Sequence, residues 1–128
     1  MKLRHVFLAG IDLVLAYGLV YALGPYANEW GDAVLHILAG AFLMIFWFWF
    51  KDRFPAVAPK KVSLFLLAIV AVLLGALAWE GFEVILRDVS PVVASALGFN
   101  SPENDSISDV LFTLLGGAAV TLFSVRRW

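Results

Sequence analysis

Four apolar stretches, each long enough to cross a bilayer as a helix, constrain this chain more than any other feature. They run roughly from Val6 to Leu23, Ala33 to Phe50, Val62 to Leu86 and Ile107 to Val125. About 20 residues of helix traverse the hydrocarbon core. Lipid offers backbone amides no partner, so such spans are predicted to be helices. All five prolines (Pro25, Pro55, Pro59, Pro91, Pro102) fall between the stretches, where a residue without an N–H does least harm. Composition agrees: 62% of residues are hydrophobic and 15% charged, against about 45–50% and about 25% in soluble domains. A soluble monomer of 128 residues has too much surface to hide that apolar content. The expectation is an all-α polytopic membrane protein: a four-transmembrane-helix bundle forming a single integral-membrane domain over residues 1–128.

Basic residues set the expected orientation. Lys2 and Arg4 precede the first span, Lys51, Arg53, Lys60 and Lys61 lie between the second and third, and Arg126 and Arg127 follow the fourth. With four spans these places share one side of the membrane, and Arg87 is the exception. The positive-inside rule then puts both termini in the cytoplasm of a bacterial or archaeal cell, with the chain in the cytoplasmic (inner) membrane. Tyr26, Trp30 and Trp79 near outer span ends and Trp128 near an inner end suit interfacial belts. A cleavable signal peptide is the rival reading of the first stretch, but Asp12 interrupts its apolar run. The absence of cysteine removes thiolate chemistry, and a net charge of −1 gives no electrostatic case for nucleic acid.

The informative residues are polar groups in apolar runs: Asp12, His36, Glu80, Glu83 and Asp109, with Asp32 and Asp105 at span edges. An ionised carboxylate at mid-bilayer costs about 2.5–3.5 kcal/mol even on the lenient insertion scale, so such groups face the interior and find partners. In the expected topology His36, Glu80, Glu83, Asp105 and Asp109 fall at one depth beneath the outer surface. Glu80 and Glu83 share a helix face, as do Asp105 and Asp109, and Asp32 and His36. Gly40, Gly81, Gly116 and Gly117 sit near these groups and would let helices approach closely. Asp32-x-x-x-His36 and Asp105-x-x-x-Asp109 echo each other, as in a duplicated hairpin.

Four carboxylates this close cannot all ionise without a cation among them. Either some stay protonated or a metal sits between them. One imidazole with several carboxylates suits a divalent ion such as Zn, Mn, Mg or Fe. The candidate ligands are His36, Glu80, Glu83, Asp105 and Asp109, with Asp32 and Asp12 as further possibilities. A di-iron site lacks its second histidine, since Glu80-x-x-Glu83 replaces Glu-x-x-His. Plainer uses also exist. Asp105 can cap a helix, Asp109 can face its dipole, Glu83 can pair with Arg87, and His36 can serve as an interhelical hydrogen-bonder.

The series His36 with Gly40, Trp79-Glu80-Gly81-Phe82-Glu83, Asp105-Ser106-Ile107-Ser108-Asp109 and Leu115-Gly116-Gly117-Ala118 resembles the YjdF-like family of small bacterial inner-membrane proteins. The chain is also distantly similar to the VanZ-like family, through Asp32-x-x-x-His36, Glu80 and Asp109-x-x-x-Thr113-x-x-Gly116. Ala33, Glu83 and Thr113 stand where that second pattern has Lys, Gln and Asn, which favours the first resemblance. The resemblance implies a membrane protein with these polar residues and names no reaction.

Three further functions fit the residues besides cation binding. They are a metal-assisted enzyme on a lipid or cell-envelope substrate, a proton- or ion-handling protein, and a structural or partner-binding subunit whose polar layer only holds helices together. No nucleophile or leaving-group motif singles out a catalytic residue. The expected partners are the bilayer, a lipid or lipid-linked ligand and further copies of the chain.

Overall fold

The computed structural model describes residues 2–23, 28–57, 64–97 and 106–125, and all of their regular structure is helical. The helices are α1 (Leu3–Leu23), α2 (Asn28–Arg53), α3 (Leu64–Val89), α4 (Pro91–Ala96) and α5 (Ser106–Val125), with a 3-10 turn at Pro55–Val57. Each expected span is thus helical over its described residues, Val62 at the start of the third lying outside them. α2 ends on Lys51 and Arg53, whose charges suit a helix C-terminus, and Phe54 precedes Pro55, which disfavours helical backbone before it.

The short α4 lies outside the expected spans. α3 stops at Val89, Ser90 follows with φ −146° and ψ 75°, and Pro91 opens α4 at its first turn. Proline is preorganised for that position and lacks only an N–H that would be unpaired there. The Tyr17 hydroxyl of α1 donates to the Leu97 carbonyl just past α4, at 2.6 Å. That bond ties the end of α4 to the middle of α1. Tyr17→Phe is expected to speed hydrogen exchange of the 92–97 amides. The cost is of the order of 0.5–1.5 kcal/mol, that of one hydrogen bond, and unchanged exchange there would show the contact to be idle.

Three helices, Leu3–Leu23, Trp30–Arg53 and Phe65–Val89, are long and apolar enough to cross a membrane, and the apolar part of α5, Ile107–Phe123, is shorter. α5 covers the expected fourth span, with Asp109 in its first turn. Burial is inverted relative to a soluble protein. Phe7, Val14, Leu15, Leu19, Leu74 and Phe123 are exposed, while His36, Glu80, Asp109, Thr113 and Thr121 are buried. In water that arrangement would be untenable, and in lipid it is the expected one. The chain is a helical, multi-pass membrane protein.

α2 packs on α5, α1 and α3, and α3 also packs on α5 and α4. Among the described residues α1 packs as a helix only on α2, so it lies outside the core shared by α2, α3 and α5. Met44, Ala68 and Val72 centre that core, flanked by Leu43, Trp47, Phe48, Leu114 and Val120. The register gives directions. His36 lies by Asp109, Gly40 by Thr113 and Met44 by Gly117, so α2 and α5 advance together in steps of four and run parallel. Gly31 abuts Val20 and Gly10 abuts Phe42, so α1 is antiparallel to α2. Gly75 abuts Leu43 while Glu83 is within electrostatic reach of Asp32, so α3 is antiparallel to α2 as well.

Two glycines set the α2–α5 distance. A Cβ on Gly40 would run into the carbonyl of Thr113, and one on Gly116 into the carbonyl of Ile37. The backbones themselves are therefore in contact. Small residues allow this, and in lipid close packing is a main source of helix association.

Candidate metal centre

The α2–α5 crossing brings His36 of α2 against the first turns of α5. One turn before Gly40, the imidazole Nδ1 lies 3.2 Å from Thr113 Oγ1. The Thr113 hydroxyl donates to the Asp109 carbonyl at 2.8 Å, a bond back along its own helix. With its hydrogen so placed, Thr113 Oγ1 accepts from Nδ1–H. The tautomer follows: Nδ1 carries hydrogen, and the Nε2 of a neutral ring presents a lone pair.

That Nε2 faces two carboxylates. It lies 3.7 Å from Asp109 Oδ2 and 3.8 Å from Asp32 Oδ1. Asp32, His36 and Asp109 each offer one donor atom, all within 4.8 Å of one another. The side chains of Asp109 and His36 are 8% and 11% exposed and that of Asp32 is 40% exposed, so the group opens past Asp32. Helix dipoles contribute: Asp109 sits in the first turn of α5, where negative charge is favoured. Tetrahedral coordination at about 2.1 Å sets donors about 3.4 Å apart, so Nε2 and the two carboxylate oxygens, now 3.7 and 3.8 Å from it, would have to draw in by a few tenths of an ångström around an ion.

Of the five residues expected as the metal set, the structure brings His36 and Asp109 together. Asp32, expected only as an addition, completes the group. Glu80 and Glu83 stand outside the three-residue group. Glu80 is buried and ends the stripe Ala68, Val72, Ala76, Glu80, which α3 turns toward the core. The register places it at the level of His36, because Gly75 meets Leu43 below it and Glu83 senses Asp32 above it. Glu83 is half-buried, is hydrogen-bonded by Trp79 one turn back, and senses the charges of Glu80, Asp32 and Arg87. The two glutamates thus border the group without joining it. Asp105 lies outside the described residues. Asp12 is on an exposed face of α1, away from the group.

Two residues that matter here were not singled out as site residues by sequence reasoning. Thr113 fixes the imidazole, and its position four residues after Asp109 on the same face was the available signal. Tyr17, which senses Glu83 and holds the Leu97 carbonyl, carried no signal, since nothing in the sequence brings Leu97 to α1. An open cleft of about 810 Å³ lies along α1 beside Phe42, lined by Leu3, Phe7, Ile11 and Val14 among others, and it shares no residue with the polar group.

Neither the curated proteins nor the solved structures contain a match to this chain. A family profile does match, and it is the family to which the YjdF-like resemblance pointed, whereas the VanZ-like likeness gains no support from it. The match runs over residues 3–128, and the chain belongs to the family described as "Predicted membrane protein (DUF2238)".

Proposed function

We propose that this protein crosses the bacterial inner membrane four times, with both termini in the cytoplasm, and holds a divalent cation just beneath the outer surface through Asp32, His36 and Asp109. The alternating directions of α1, α2, α3 and α5 support the topology. Four alternating spans put Lys2, Arg4, Lys51, Arg53, Lys60, Lys61, Arg126 and Arg127 on one side, as the positive-inside rule requires.

One observation carries the cation reading. Thr113 engages Nδ1, which leaves Nε2 aimed between two carboxylates in a largely buried setting. Metal-bound histidines commonly have their other ring nitrogen anchored in this way. The donor set of one imidazole and two carboxylates suits Zn, Mn or Fe and tolerates Mg less well. Three protein ligands with an open position is also the layout of catalytic metal sites. A cation there would polarise water or a lipid phosphate, with Glu80 and Glu83 as nearby proton acceptors.

The same separations fit a protonated His36 paired with both carboxylates and no metal, a purely structural polar layer. Elemental analysis of the purified protein separates the two. The cation reading expects about one divalent ion per chain, as for a three-ligand site, lost in His36→Ala. Metal-free protein with native helix content and no uptake of added ions would establish the structural layer instead.

A further inference from the structure

A carboxyl group is exposed at mid-membrane on α1. Asp12 lies one residue from the centre of the 21-residue helix, and its side chain is exposed among the described residues. α1 meets α2 through Val6, Gly10 and Val20, roughly a third of a turn around from Asp12. Ionisable groups inside a membrane almost always face protein or water, because hydrocarbon gives them no partner.

Asp12 has company on that face. His5, Leu8, Asp12, Leu15, Leu19 and Ala22 follow spacings of three, four, three, four and three, and all six are exposed. This is a heptad seam with leucines on either side of one polar position, the pattern by which parallel helices pack and a central polar residue fixes register. Copies in one membrane share an orientation, so a closed pair has its two-fold axis along the membrane normal. Each seam residue then meets its own copy at its own depth. Asp12 would face Asp12, and two carboxyls that hold at least one proton between them hydrogen-bond to each other. Among the described residues no other basic or acidic residue lies on this seam near mid-membrane.

We infer that the protein pairs with a second copy of itself through the His5–Leu8–Asp12–Leu15–Leu19–Ala22 face of α1, with the two Asp12 carboxyls joined at the membrane centre.

The cysteine-free sequence makes the test direct. Single-cysteine reporters at Leu8 and Leu15 lie on the seam, and reporters at Phe7 and Val14 are equally exposed but lie off it. In proteoliposomes at low protein density, oxidation should crosslink Leu8→Cys and Leu15→Cys into dimers about tenfold more efficiently than Phe7→Cys and Val14→Cys. Adding Asp12→Leu to Leu15→Cys should reduce that crosslinking about tenfold, the scale of one interhelical hydrogen bond, while Asp12→Asn preserves it. Equal crosslinking at all four positions, or none, would overturn the pairing. Unchanged crosslinking in the Asp12→Leu background would overturn the role of the carboxyl.

Discussion

Gly40→Val is expected to break the α2–α5 contact and remove the polar site with it. The added Cβ would occupy the place of the Thr113 carbonyl, which is backbone and cannot rotate aside. The helices must separate, and the cost lies at or above the top of the roughly 1–3 kcal/mol range for overpacking. Separation also takes Thr113 away from His36 Nδ1 and Asp109 away from Nε2, so the variant should lose ion binding together with thermal stability. Gly116→Val should behave alike, because its Cβ meets the Ile37 carbonyl. Gly81→Ala is the control: nothing lies within 4 Å of a Cβ built there, and alanine is the better helix former by about 1 kcal/mol. A Gly40→Val protein as stable as the parent would show that the two helices do not cross at these residues.

The second large effect concerns the ligands. His36→Ala and Asp109→Ala each remove one of three donors from a site with no spare ligand inside the group, and each should weaken cation binding more than about 100-fold, beyond the effect of an outer-shell change. Thr113→Val keeps the donors and removes the group that orients the ring, and should cost about 10–100-fold. Asp12→Asn should leave affinity unchanged, since Asp12 faces away from the site. Titration of metal-stripped protein with Zn or Mn checks the order. Equal affinities across the four variants would mean that the ion binds elsewhere.

Much of this was legible before the fold. Apolar length and the placement of prolines marked out the long helices because lipid imposes that length on any spanning segment. His36 and Asp109 stood out because charge in an apolar run is costly wherever it occurs. Which carboxylates converge was less legible. Three- and four-residue spacings put Glu80 with Glu83 and Asp32 with His36 on their own helices, but they say nothing about how α5 and α3 are turned against α2. The backbone contacts at Gly40 and Gly116 set α5 against α2, and Gly75 against Leu43 sets α3. The first brings Asp109 to the face that carries Asp32 and His36, and the two glutamates are left alongside. The approach of the Leu97 carbonyl to Tyr17 depends on a turn at Ser90-Pro91 whose direction the residues alone do not state.

X-ray absorption at the zinc edge of the zinc-loaded protein addresses the centre most directly. The expected first shell has one imidazole nitrogen and two carboxylate oxygens at about 2.0–2.2 Å, and the imidazole contribution disappears in His36→Gln. A shell without imidazole in the parent protein, or one that is the same in the variant, would contradict a cation held between Asp32, His36 and Asp109.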